Sequence, residues 1–169
     1  MKRILLFFLI IAHCLALFSG CKKYENPTPV ELPTVSTIFP FAPPHVLVIG
    51  NMNAVYAWQG TSSWMYEDAS GIGSGVESDS PHPLDCKDDL PILEATQKIT
   101  VSLRFEAAPS TITVKQYKAT ATDFDSYKEI AVTNSSFEIK SGNYVYEIIA
   151  SWSGTYYNGT VYYAFKTEK

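Results

Sequence analysis

Hydrophobic and polar residues follow three successive patterns along the chain. Ile4 to Phe18 is an unbroken apolar run apart from His13. Residues 22–44 show no period and hold six of the ten prolines. From His45 onward, apolar and polar residues alternate with the period of two that marks β-strands, and helical spacing is absent. His45 to Ile49 is a short apolar strand. Ile99, Val101, Leu103 and Phe105 alternate with Thr100, Ser102 and Arg104, the pattern of a strand buried on one face. After a turn at Ala107–Ser110, Thr111 to Tyr117 runs back with Ile112 and Val114 on one face. Lys128 to Val132 and Ser136 to Ile139 are shorter candidates, and Ser141-Gly142-Asn143 signals a turn. Tyr144 to Trp152 and Thr160 to Phe165 complete the set, joined by a loop at Ser153–Gly159.

Seven or eight short strands at regular spacing predict an all-β fold, an antiparallel β-sandwich over residues 45–169. The stretch 22–44 predicts a semi-extended spacer, because proline fixes φ and removes backbone donors. It would reach ~70 Å if polyproline-like and ~26 Å if coiled.

The first twenty residues have the parts of a secretory signal peptide. Lys2 and Arg3 are its positive end, the apolar run follows, and Ser19-Gly20 supplies small residues at the cut. About fifteen apolar residues fall short of the ~20 that a spanning helix needs. Phe18-Ser19-Gly20-Cys21 resembles the lipobox of bacterial lipoproteins, with Phe18 where that family carries leucine. The resemblance implies lipid on the Cys21 thiol, with acyl chains such as palmitate, and cleavage that makes Cys21 the N-terminus. The domain would then sit on the extracytoplasmic face of the bacterial plasma membrane, anchored by lipid and held off it by the spacer. Durable anchoring fits a contribution of ~0.8 kcal/mol per buried methylene and more than one chain.

Gly142-Asn-Tyr-Val-Tyr-Glu-Ile-Ile-Ala150 resembles the penultimate strand of fibronectin type III and related immunoglobulin-like domains. That resemblance implies an immunoglobulin-like sandwich in which a tyrosine hydroxyl closes a corner against nearby backbone. Tyr144 is the first candidate and Tyr146 the second. Gly60-Thr-Ser-Ser-Trp64, Val76 to Leu84 and Gly159 to Phe165 are similar to a group of uncharacterised Gram-positive lipoproteins and sensor ectodomains. This second resemblance implies a wall-facing location and nothing catalytic.

Composition narrows the chemistry. Hydrophobic residues make up 46% of the chain, enough for a packed core. Lys2 and Arg3 leave with the leader, so eleven basic residues face 17 acidic ones and the exported part carries −6. That balance disfavours nucleic acid, whose binding rests on Lys and Arg. With Cys14 lost in the leader and Cys21 lipidated, Cys86 is left as a lone thiol, so no disulfide framework exists and burial of Cys86 is expected.

The acid-rich stretch Glu67 to Glu94 is the one place for a calcium or zinc module, the first alternative function. Its spacing does not fit an EF-hand loop, and a solvated loop is the expectation. His82 and Cys86 are four apart beside Asp79 and Asp85, but Pro81 and Pro83 break any helix that would align them. Gly71 to Gly75 reads as a flexible loop tip. The exported part has only His45 and His82, and no Gly-x-Ser-x-Gly elbow. No catalytic residue, metal ligand or cofactor is therefore assigned. Trp58, Trp64, Tyr156 and Tyr157 are the candidates for recognition, since large stiff aromatics dominate binding hot spots. Against this stands the reading of the two tryptophans as core pins. The expected function is a noncatalytic binding module for an envelope protein, peptide or glycan. The second alternative is a structural ectodomain that docks on a membrane sensor or peptidase.

Overall fold

The computed structural model describes residues 42–67 and 70–168. The leader, Cys21 and most of the spacer lie outside the described residues. Among the described residues, ten strands form two antiparallel sheets packed face to face. They are β1 (Val46–Ile49), β2 (Ala54–Tyr56), β3 (Trp58–Glu67), β4 (Gly73–Ser78), β5 (Ile99–Phe105), β6 (Thr111–Lys118), β7 (Tyr127–Ile130), β8 (Ser136–Ile139), β9 (Tyr144–Ser153) and β10 (Tyr157–Thr167). One sheet runs β2-β1-β5-β8 and the other β4-β3-β10-β9-β6-β7. Within these, β1-β5-β8 and β10-β9-β6-β7 are the two halves of the sandwich, and the β3–β4 hairpin extends the larger sheet beyond β10.

The alternation that predicted the strands sets the core. Val101, Leu103 and Phe105 of β5 meet Tyr146, Ile148, Ala150 and Trp152 of β9 and Val161, Tyr163 and Phe165 of β10 between the sheets. Tyr146 stacks on Phe165 with centroids 5.0 Å apart. Pro43 and Pro44 are buried, and the Tyr163 hydroxyl donates to the Pro44 carbonyl, so the last prolines of the spacer stretch belong to the folded unit.

Strands β2, β3 and β4 were not expected from the sequence. Strand β3 is rich in Ser, Thr and Gly, so its period of two shows only in Ser62, Trp64 and Tyr66. The glycine-rich segment expected as a loop tip instead pairs with β3 as β4, from Ser62 opposite Ser78 to Glu67 opposite Gly73. All six β4 residues are exposed, which removes the hydrophobic signal by which a strand is recognised.

Sheets of this kind commonly leave one face to water. Here the outer face of the larger sheet is partly covered. Tyr117, Val145 and Ala164 point away from the main core and form a second cluster with Leu84 and Leu90. The segment 80–93 lies across that face as a strap. Leu93 N–H donates to the Lys166 carbonyl at 2.9 Å, Lys166 N–H donates to the Pro91 carbonyl at 2.9 Å, and the Lys87 ammonium donates to the Ala119 carbonyl at 2.7 Å.

Candidate functional site

A groove of about 240 Å³ opens where the strap's first residues meet the outer face of the larger sheet. Trp58, Gly60 and Thr61 of β3 form one wall, Tyr162 and Glu147 lie on the floor strands, and Ser80 to Pro83 form the opposite wall. A β-bulge shapes it. Val161 pairs with Ser62 and Tyr163 with Gln59, so Gly60 and Thr61 together oppose Tyr162. The extra residue turns Trp58 outward, although Trp64 on the same strand points inward. Gly60 is bare for a steric reason, since a Cβ there would lie 2.9 Å from the Trp58 ring. The indole rests on the backbone at that point.

The strap wall is held by short-range bonds. Ser80 N–H donates to the Thr61 hydroxyl oxygen at 3.2 Å, and that hydroxyl approaches the Asp79 carboxylate at 3.4 Å. His82 stacks on Phe124 at 4.0 Å and meets the edge of Tyr117 at 5.3 Å. Its Nδ1 accepts the Leu84 N–H at 3.2 Å, which leaves the proton of the neutral ring on Nε2. The Cys86 thiol donates to the His82 carbonyl at 3.6 Å, and partial burial raises its pKa. Cys86 is thus half-buried, less enclosed than the burial expected for it.

Glu147 is the group that sequence reading missed. It is only 4% exposed, yet it lines the groove. The Tyr117 hydroxyl donates to its Oε2 at 3.1 Å, and the Lys115 ammonium lies 3.7 Å from the same oxygen. Burial, then the Glu147 charge and hydrogen bond, push the Tyr117 phenol well above its ordinary pKa, so it stays a donor. Both contacts fall on Oε2, and among the described residues none falls on Oε1. A buried carboxylate normally has its lone pairs satisfied, and here one side is open.

The four aromatics expected to act in recognition do not form one site. Trp58 lines the groove. Trp64 is fully buried, edge-on to Trp152 at 5.2 Å, and is a core residue. Tyr157 lies in β10 rather than in a loop, half-buried and stacked on Trp64 at 5.5 Å, so it too is part of the packing. Tyr156 is exposed beside a separate shallow depression shared with Met65 and Glu67. Of the two tyrosines expected at the corner, Tyr146, the second candidate, accepts the Lys140 N–H at 2.9 Å through its hydroxyl, and the ring of Tyr144, the first, lies under the Lys140 ammonium.

Of the acid-rich segment, Glu77, Asp79, Asp85, Asp88, Asp89 and Glu94 are exposed, and Asp68 is outside the described residues. Among the described residues no three His, Cys, Asp or Glu side chains converge. Comparison with protein-family models, curated proteins and solved structures gives no match.

Proposed function

We propose that this chain is a lipid-anchored, noncatalytic binding module on the outer face of a bacterial plasma membrane, and that the Trp58 groove is where it binds. The anchor rests on the lipobox-like residues 18–21. The observation that carries the binding role is the open Glu147 oxygen beneath an aromatic wall. Preorganised polar groups in an apolar concavity are how small ligand groups are recognised. Binding rather than chemistry is supported by how the other polar groups are used: His82 Nδ1 is taken by Leu84 N–H, its ring is stacked, and the Cys86 thiol donates to backbone.

The test is paired. Cys21→Ser in the full-length protein should move it from the membrane to the soluble fraction, and retention on membranes rules out the anchor. Capture of envelope components by the lipidated protein should drop on Trp58→Ala and survive Tyr156→Ala; capture indifferent to Trp58 rules out the groove.

The docking alternative draws on a different feature. Strand β4 is an edge strand that carries no lysine or proline, the usual guards against pairing with another chain. An extended segment of a membrane partner would add there by backbone hydrogen bonds. Loss of crosslinking to such a partner on Gly75→Pro, with Trp58→Ala silent, would favour this second reading.

A further inference from the structure

We propose that the groove recognises a primary ammonium group, with Oε1 of Glu147 as its counter-charge and the Trp58 ring as its aromatic face. The inference rests on the reading of the groove as a binding site and adds the chemistry of its ligand.

The sign of the charge follows from the lining. The lining holds no Lys or Arg, and of the residues in it Glu147 alone carries a carboxyl group. Asp79 stands at the rim beside Thr61. A ligand carboxylate or phosphate would find no Lys or Arg in that lining and would be set against the Glu147 carboxylate. A cation meets a carboxylate and an indole, the strongest aromatic partner for a positive charge. Water is largely excluded from Glu147, so the pairing is screened less than at an open surface.

The shape of the cation follows from which oxygen is free. Guanidinium prefers to engage both carboxylate oxygens in a fork. Oε2 is already held by the Tyr117 hydroxyl at 3.1 Å, so a single oxygen remains. One open oxygen suits a compact point-like donor, which an ammonium is. The volume of about 240 Å³ admits such a group with a short aliphatic stem or one sugar ring, and nothing larger without leaving the mouth.

Lys115 sets the opposing term. Its ammonium lies 3.7 Å from Oε2 and over the Tyr127 ring at 4.5 Å, on the β6 side of Glu147 and outside the groove lining. It steadies the carboxylate but also repels a second cation. Its removal should therefore strengthen the binding of an amine and leave a neutral ligand unaffected.

The experiment is calorimetry on the full-length lipidated protein in detergent micelles. The amine probes are Nα-acetyl-lysine methylamide and glucosamine; the neutral controls are their N-acetylated counterparts. The expected result is binding of at least one amine and none of its acetylated form, with affinity falling as NaCl is raised. Glu147→Gln should weaken it at least tenfold, and Lys115→Met should strengthen it severalfold. Binding of the lysine probe alone identifies a peptide side chain, of glucosamine alone a saccharide amine, and of both a site that reads only the ammonium. Equal binding of the neutral forms, or no binding by either amine, overturns the proposal. If Glu147→Gln does not fold, Lys115→Met decides, because it leaves the carboxylate in place; unchanged or weaker amine affinity overturns the proposal. Failure of the amines while envelope capture still depends on Trp58 sinks the ammonium assignment alone. Failure of both sinks the groove as a binding site.

Discussion

The Tyr146 hydroxyl accepts the Lys140 backbone N–H at 2.9 Å, bridging six residues of chain back to the end of β8. The same oxygen accepts from Gln116 Nε2 at 2.7 Å in the buried interior. One phenol thus ties the β8–β9 connection to β6. Tyr146→Phe keeps the stack on Phe165 but leaves a buried amide donor and a backbone N–H without partners. The expected cost is about 2 kcal/mol, within the usual range for unmet buried donors. Tyr144→Phe should cost less than about 0.5 kcal/mol, as for surface changes away from such features. Urea unfolding of the two variants measures the difference, and equal values would contradict the assignment of the corner to Tyr146.

Ser62 points into the sandwich beside Trp64, and its buried hydroxyl has no hydrogen-bond partner among the described residues. Its desolvation is uncompensated, which makes the hydroxyl a net cost. Ser62→Ala should raise stability by about 1 kcal/mol and move the urea midpoint up at unchanged slope. A loss of stability would mean that the hydroxyl is satisfied in solution.

The turn between β7 and β8 puts two consecutive residues at positive φ, Asn134 at 49° and Ser135 at 55°. Thr133 and Ser136 exchange both backbone bonds at 2.9 Å, so this is a two-residue turn of the primed kind. Asn suits its position, while serine lacks glycine's freedom at the second. Ser135→Gly creates the favoured Asn-Gly pair and should stabilise by about 0.5–1 kcal/mol, read as a rise in melting temperature. Ser135→Val should do the reverse, since a β-branched residue resists that conformation.

The two-residue period in β5, β9 and β10 was enough to find the sandwich, because those strands are buried on one face and wet or thinly covered on the other. The same rule fails where its premise fails. β4 has neither face buried, and β3 carries small polar residues whose burial comes from the strands beside it. Trp64 and Tyr157 looked alike as recognition residues and proved to be partners of each other, a relation set by the β3–β10 register and by no local feature. Glu147 had a usable local signal. Its outer-face neighbours on β9, Val145 and Ile149, are both apolar, and a strand apolar on both faces is covered on both. A carboxylate between them must be buried, and a buried carboxylate needs a partner or a ligand. What the sequence could not supply was the strap, whose 80–93 residues are held largely by backbone bonds and a few leucines.

The tyrosines of the interior set the alkaline limit of the fold. Burial first of all raises the phenol pKa of Tyr117, Tyr146 and Tyr163 above the ordinary value of 10.0. The folded state holds the neutral phenol, whereas the unfolded chain gives up its proton near ~10. The folded state therefore binds more protons above that pH, and stability must fall as pH rises. The contribution is complete below ~10 and is lost through the window between the unfolded and the raised folded values. Each such group removes about 1.4 kcal/mol per pH unit within that window, so three together approach a slope of about 4 kcal/mol per unit. Against a total of roughly 5–15 kcal/mol, unfolding should set in cooperatively above about pH 11. The measurement is a pH titration that follows tyrosinate absorbance and near-ultraviolet circular dichroism together. A tyrosinate step that coincides with loss of the dichroism is the expected outcome. Complete ionisation of all tyrosines with the dichroism intact would show that the interior phenols are reached by solvent in the native state.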